Sequence, residues 1–240
     1  CCPPNLVRTV AKSPGWAYSL SEDGVAVNLY GGNRLDTRLS DGSKLQLIQE
    51  TRYPWDGDIT ITIDECRDAP FELLLRIPGW ADMASILVNE HSVDTDARPG
   101  QYARIKRRWK KGDVVRLNIP MEIKRIEGHP RIEEVLNQVA IQRGPLVYCV
   151  ESPDLPGGTS ILDVYLPESS DLVARDCPDL LGGVTTITGS VRLRSDKDEG
   201  MYRTLTKPLW NTVETTFIPY FAWCNRGESE MTVWLPIIWE

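Results

Sequence analysis

The sequence has no long apolar run and no basic block, and each absence excludes a broad class of function. None of its apolar stretches approaches the ~20 residues that a membrane-spanning helix needs, so we expect no membrane partner. Its 240 residues carry 27 Lys and Arg against 34 Asp and Glu, and the longest uninterrupted basic stretch is only Lys106–Arg108. An acidic chain without a basic face binds nucleic acid poorly, and we expect no such partner.

Cysteine is present but lacks the spacing of a disulfide scaffold. The six are Cys1, Cys2, Cys66, Cys149, Cys177 and Cys224. A chain of this length can bury a core without disulfides. We interpret the last four as small apolar residues in or near strands.

The sequence also lacks the local motifs of several common chemistries. It contains no serine nucleophile elbow, no phosphate-binding glycine loop and no Asp-rich calcium loop. His91 and His129 have no metal-ligating residue at ligand spacing, and the adjacent Glu133 and Glu134 would point to opposite faces of a strand. Composition and spacing alone therefore assign no chemistry to these residues, and they indicate only a fragment built of β-sandwiches, for which the strand pattern is described below.

Helical spacing occurs at the beginning of the sequence. Apolar residues stand at positions 6, 7, 10 and 11, and Pro14-Gly15 ends the pattern. We interpret residues 1–15 as the C-terminal tail of a larger domain. Because the first residue is Cys rather than Met, we expect that a preceding part has been removed.

From Trp16 onward the apolar period changes to two. Residues 25–29, 59–63, 71–77 and 115–119 alternate between apolar and other positions, with turn signals between the runs. Short alternating strands predict antiparallel β-sandwiches. Further strands are predicted at 139–141 and 146–150, which close a first sandwich domain over residues 16–152.

A second β domain is predicted over residues 153–240. Residues 151–160 are rich in Pro, Gly and Ser and are interpreted as the linker, while the polar residues 194–203 are interpreted as a mobile loop. Strands are predicted near 161–166, 184–194, 213–221 and 230–235. The predicted fold class is therefore all-β, with two tandem antiparallel β-sandwich domains behind a short helical stub.

Two features suggest chemistry but are weak by themselves. The Cys1-Cys2 pair could bind zinc, although a site needs three or four ligands, or could be two unremarkable thiols. The eight Trp residues could form a sugar-stacking face. The core is the better interpretation, because Trp80, Trp109 and Trp234 lie beside strand patterns.

Five stretches, in order along nearly the whole chain, give a more specific indication. They are Cys1–Asn5, Gly24–Tyr30, Arg76–Trp80, Gln142–Cys149 and Ile218–Gly227. Together they resemble glycoside hydrolase family 127, the β-L-arabinofuranosidase-like family. The resemblance implies an N-terminal (α/α)6 catalytic barrel followed by two β-sandwich domains, of which this chain would be the C-terminal part.

The resemblance also implies a site at the beginning of the chain. Cys1 would be the nucleophile of a retaining glycosidase, and Cys1 and Cys2 would both bind Zn²⁺. The remaining ligands, a Glu and a Cys, and the acid/base Glu would lie upstream of this sequence. A plant-derived oligosaccharide would bind through the barrel, and a homodimer is left open. The 240-residue fragment is then expected to be inactive alone and to hold zinc weakly.

Two other classes of function remain open from the sequence. One is a carbohydrate-binding β-sandwich module whose exposed Trp residues bind polysaccharide unaided, which titration with pectin or arabinan would detect. The other is a purely structural sandwich from an unrelated protein, which a search of the upstream coding sequence for Glu-x-Cys would test.

Overall fold

A computed structural model describes residues 2–195, 200–202 and 204–239. The chain divides into two compact units, one reaching to Met121 (unit 1) and one beginning at Glu122 (unit 2). Within the described residues, no helix has the length and apolarity to cross a bilayer. Part of the loop predicted at residues 194–203 lies outside the described residues.

The predicted helix at the start of the chain is confirmed as α1 (Cys2–Lys12). A 3-10 turn, Ser13–Trp16, follows it, with Pro14 in the first turn where its missing N–H costs nothing. No residue of α1 is buried, and Leu6, Val7 and Val10 are all exposed. The apolar face of α1 is therefore not covered by the described residues of this chain.

The described residues of unit 1 form ten strands. They are β1 (Tyr18–Leu20), β2 (Gly24–Val27), β3 (Asn33–Arg38), β4 (Lys44–Thr51), β5 (Asp58–Glu65), β6 (Pro70–Arg76), β7 (Ser85–Val88), β8 (His91–Ser92), β9 (Tyr102–Arg108) and β10 (Val114–Asn118). One sheet has the order β1-β2-β6-β9 and the other β3-β4-β5-β10-β7-β8. Neighbouring strands are antiparallel except β2 and β6, which are parallel.

Both sheets of unit 1 contribute to one core. Val25, Phe71 and Leu73 of the first sheet and Leu47 and Ile61 of the second belong to the same buried cluster. Alternate residues of strands such as β5, β9 and β10 are buried in this core, which is why a period-two pattern is visible in the sequence. Unit 1 is therefore a β-sandwich, as predicted.

The described residues of unit 2 form nine strands. They are β11 (Ile123–Glu127), β12 (Gln138–Arg143), β13 (Leu146–Glu151), β14 (Val164–Pro167), β15 (Val173–Cys177), β16 (Val184–Arg194), β17 (Trp210–Pro219), β18 (Met231–Thr232) and β19 (Leu235–Ile238). Short 3-10 turns lie at Glu133–Val135, Ser152–Asp154, Ile161–Asp163 and Tyr220–Ala222. Strands β14 and β19 pair in parallel, and the other pairs are antiparallel.

Six of these strands hydrogen-bond in a closed ring. Along the ring, β12 pairs with β19, β19 with β14, β14 with β16, β16 with β17, β17 with β13, and β13 again with β12. Residues from all six strands form a second buried cluster, which includes Ile141, Tyr148, Val164, Phe217 and Leu235. Closure leaves few unpaired strand edges. The all-β class with two β domains is thus confirmed, and the second domain has this additional feature.

The structure corrects the domain boundary expected at residue 152/153. The units divide at Met121/Glu122, and β12 and β13 are ring strands of unit 2. Residues 151–160 are not a linker, since Glu151 and Leu155 are buried in unit 2. Alternation identifies a strand but not the sheet in which it pairs, and Pro and Gly here form tight turns inside one unit.

Candidate functional site

The two cysteines at the beginning of the chain are the residues on which sequence reasoning placed the chemistry. Cys1 lies outside the described residues, and Cys2 is exposed at the first position of α1. The described ranges contain no group of three or more His, Cys, Asp or Glu side chains that could hold a metal ion. Cys1 as nucleophile and Cys1 and Cys2 as zinc ligands therefore stay predictions.

The isolated polar residues of the sequence are on the surface. His91 and His129 are both exposed, and Nδ1 of His91 lies 2.6 Å from the carbonyl oxygen of Asn89. Glu133 and Glu134 are exposed in a 3-10 turn rather than on a strand. The structure brings none of these four side chains into a catalytic pair.

The structure places two of the family-like stretches of unit 1 in contact. The hydroxyl of Tyr30 donates a 2.6 Å hydrogen bond to the carbonyl oxygen of Arg76, and the rings of Tyr30 and Tyr53 meet edge to face with centroids 6.0 Å apart. Burial, followed by the neighbouring Tyr53, raises the pKa of Tyr30 far above its ordinary value. Tyr30 is therefore a neutral hydrogen-bond donor that fixes a loop, and it does not act as a base.

The other two stretches meet in unit 2, where Cys149 of β13 is opposite Ile218 of β17. Two residues beyond Cys149, the carboxylate of Glu151 is fully buried. Its Oε1 accepts hydrogen bonds from the backbone N–H of Cys224 at 2.7 Å and from the hydroxyl of Ser229 at 2.8 Å. Its Oε2 accepts from Nε of Arg226 at 3.1 Å.

Arg226 bridges two carboxylates in this cluster. Its Nη1 donates to Oδ1 of Asp154 at 2.9 Å, and its Nη2 contacts Glu151 as well. Burial alone would raise the pKa of Glu151, but the hydrogen bonds from Cys224, Arg226 and Ser229 outweigh burial and lower it. Burial of Cys149 itself, followed by the nearby negative charge of Glu151, raises the pKa of the Cys149 thiol to about 12. Cys149 is thus an inert buried thiol, as the sequence predicted for it.

The cluster fixes a loop with exposed aromatic rings. Tyr220, Phe221 and Trp223 are exposed on the segment that Arg226 and Cys224 tie to Glu151. Sequence reasoning missed this ion cluster because Glu151 and Arg226 are far apart in the chain. The available signal was Glu151, a charged residue that ends the apolar strand β13.

The tryptophans divide between core and surface. Trp109 is buried, and its indole N–H donates to the carbonyl oxygen of Phe71 at 3.1 Å, as expected of a core residue. Trp234 is half-buried in an apolar groove that it shares with Tyr220 and Met231. Trp239 is 75% exposed beside a second, more polar cleft of unit 2.

Each of the two β units of this chain matches the model of a domain from one family of glycoside hydrolases. Residues 24–121 match the sequence model described as "Beta-L-arabinofuranosidase, GH127 middle domain", and residues 123–236 match that of the "Glycoside hydrolase family 127 C-terminal domain". Together the two models match most of the chain. This chain belongs to glycoside hydrolase family 127, and the resemblance noted in its sequence is confirmed.

Individual relatives agree with this assignment. A "Non-reducing end beta-L-arabinofuranosidase" of Bifidobacterium longum subsp. longum is 29% identical over 97% of this chain and 36% of its own length. A solved structure described as "Glycoside hydrolase" is 41% identical with a TM-score of 0.93, over 99% of this chain and 39% of that one. Ara127N-Se, a GH127 β-L-arabinofuranosidase from Geobacillus stearothermophilus T6, is 40% identical with a TM-score of 0.91, over 99% and 37%.

The relatives are much longer than this chain, which spans a little over a third of their length. The family models place the matched part in the middle and C-terminal domains. The boundary between these two models, at residues 121–123, coincides with the division between unit 1 and unit 2.

Proposed function

We propose that this chain is the non-catalytic middle and C-terminal part of a retaining β-L-arabinofuranosidase, and that its first two residues belong to the active site of the full-length enzyme. The observation that carries the proposal is the match of units 1 and 2 to the two family-127 domains. The relatives from Bifidobacterium and Geobacillus are named as β-L-arabinofuranosidases, and on that basis we propose L-arabinofuranose as the sugar that is cleaved. The catalytic region would precede α1.

In the proposed reaction Cys1 is the nucleophile. Its sulfur forms a bond to the anomeric carbon while the bond to the leaving oxygen breaks, and that oxygen takes a proton from a carboxylic acid outside this chain. A water molecule, deprotonated by the same carboxylate, then displaces the sulfur of Cys1. Two successive inversions give net retention, as in the scheme with two carboxylates.

The zinc ion that the resemblance implies would be held only in part by this chain. Cys1 and Cys2 offer two thiols, which are suitable ligands, and zinc supplies the positive charge that keeps a thiol deprotonated near neutral pH. Among the described residues, Cys2 belongs to no group of three or more potential metal ligands. In this proposal the remaining ligands, a Glu and a Cys, come from residues outside this chain, as the resemblance implies.

The test is release of L-arabinose from an aryl β-L-arabinofuranoside by the full-length enzyme and its Cys1→Ser variant. We expect activity in the parent and a loss of several orders of magnitude in the variant, because a serine hydroxyl is not ionised at neutral pH. Cys224→Ser is a matched control, since Cys224 is an exposed thiol of unit 2. An enzyme that stays active after Cys1→Ser would overturn the assignment of Cys1 as the nucleophile. A full-length parent that releases no L-arabinose would overturn the proposed substrate.

A further inference from the structure

Four strands of unit 2 end together at one edge of the ring, and a cleft of about 510 Å³ opens there. The C-terminal ends of β11, β14 and β19 and the N-terminal end of β12 meet at this edge, as their pairing directions require. Backbone hydrogen bonds hold the rim, from Glu168 N–H to Ile238 O at 2.9 Å and from Ile237 N–H to Asn137 O at 3.0 Å. The cleft is built on strand ends rather than on a free loop.

The cleft combines one exposed aromatic ring with several planar polar groups. Trp239 is 75% exposed at its edge, and Glu127, Asn137, Gln138 and Glu168 line it. Among the residues that the structure describes, these four side chains have no hydrogen-bond partner. The volume of the cleft lies within the range of about 300–1,000 Å³ that is usual for small-molecule sites.

This combination suits a sugar better than other ligands. A sugar ring has a face of C–H groups that can pack on an indole and a rim of hydroxyls that can bond to carboxylates and amides. A purely apolar ligand would leave the polar groups desolvated and unpaired, which is costly. The groove at Trp234 also contains aromatic rings, but its polar side chains, Gln142 and Thr232, already donate hydrogen bonds to backbone carbonyl oxygens.

The charges of the cleft narrow the class of sugar. Glu127 and Glu168 are two carboxylates, and the single guanidinium, Arg125, already donates through Nη2 to the carbonyl oxygen of Ser170. An acidic sugar would meet more negative than positive charge, so a uronic acid should bind worse than a neutral sugar.

We propose that this cleft is an accessory binding site for a neutral oligosaccharide, with Trp239 as the stacking surface and Glu127, Gln138 and Glu168 as hydroxyl partners. The site would retain a glycan on the C-terminal domain while the catalytic region acts on it. The proposal does not depend on the roles of Cys1 and Cys2, because it concerns a surface of unit 2 alone.

The test is calorimetric titration of the 240-residue chain with a neutral disaccharide of L-arabinose and with digalacturonate. We expect weak binding of the neutral sugar, no detectable binding of digalacturonate, and a loss of affinity of roughly tenfold or more in Trp239→Ala. Trp16→Ala removes another exposed tryptophan, 52% exposed in unit 1, and should leave the affinity unchanged. Because Trp239 is exposed, its substitution should also leave the melting temperature unchanged.

A second variant tests the charge argument separately. Glu127→Gln keeps the shape and hydrogen-bonding capacity of the side chain but removes one negative charge, so the neutral sugar should still bind and digalacturonate should bind detectably. Failure of the parent chain to bind the neutral sugar, or equal binding by the parent and Trp239→Ala, would overturn the proposal. Either result would leave the proposed hydrolase function intact, since the assay contains no catalytic region.

Discussion

At the scale of single residues, the Glu151–Arg226 contact is the clearest example of a polar group that the fold must accommodate. A fully buried carboxylate is tolerated only if it is paired and hydrogen-bonded. Glu151 meets that condition with a guanidinium, a backbone N–H and a hydroxyl, all from the segment 224–229. The pair ties β13 to the segment that follows β17, 75 residues later in the chain.

We predict that Arg226→Ala lowers the free energy of unfolding of the chain by about 3–5 kcal/mol. The variant leaves the carboxylates of Glu151 and Asp154 together without their shared cation, and Glu151 has no access to water. Urea denaturation, followed by tryptophan fluorescence, measures the change.

Arg98→Ala is the matched control for this prediction. Arg98 is bonded to Asp96, but both side chains of that pair are largely exposed. Exposed pairs contribute about 0–1 kcal/mol, so this control should unfold almost like the parent. If the two substitutions lowered the free energy of unfolding equally, the claim that burial makes the Glu151–Arg226 pair stabilising would be contradicted.

At the scale of strands and turns, the approach of Gly57 to Ile119 sets the entry to β5. A Cβ atom on Gly57 would lie 1.7 Å from the carbonyl oxygen of Ile119, and Ile119 N–H donates to the carbonyl oxygen of Gly57 at 2.9 Å. Two backbone segments therefore touch here with no room for a side chain. Ile119 follows β10, so this contact continues the pairing of β5 with β10.

We predict that Gly57→Ala destabilises unit 1 by about 3 kcal/mol, because one of the two backbone segments must move and the hydrogen bond between them must lengthen. Thermal unfolding measures the effect. Gly79→Ala is the control, since its Cβ would meet nothing within 4 Å, and it should stay within about 1 kcal/mol of the parent. A Gly57→Ala variant as stable as the parent would show that the contact relaxes freely.

The positions of the strands were predicted better from the sequence than the pairing between strands. Alternation in residues 59–63 and 71–77 identified β5 and β6, because every second side chain points to the core. It could not show that β12 and β13 join unit 2, since pairing depends on contacts distant in the sequence. The short strand β15 was missed because three of its five residues are exposed and none is fully buried, so no apolar face marks it.

Of the two candidate sites, one could be recognised in the sequence and the other could not. The cysteine pair was visible as a motif, since its two members are adjacent in the chain. The cleft at Trp239 was not, because its lining comes from the ends of four strands and becomes a site only after the ring has closed. Trp239 alone gave no indication of being different from a core tryptophan.

At the scale of the whole molecule, the chain contains two folded β units and an uncovered helix. The apolar residues Leu6, Val7 and Val10 of α1 are exposed, although burial of such a face is what usually stabilises a short helix. Cys2 is the first residue of this helix, and Cys1 precedes it in the sequence.

We predict that the 240-residue chain holds zinc weakly and does not hydrolyse an aryl β-L-arabinofuranoside. Cys1 and Cys2 are only two of the three or four ligands that a stable site needs, and the resemblance implies that the other ligands and the groups that orient them lie outside this chain. Metal analysis after dialysis should find far less than one zinc per chain, at a level no different in a Cys2→Ser variant. One tightly held zinc per chain, lost in Cys2→Ser, would mean that residues of this chain complete the site, and the full-length enzyme would then need a different set of ligands from the one proposed.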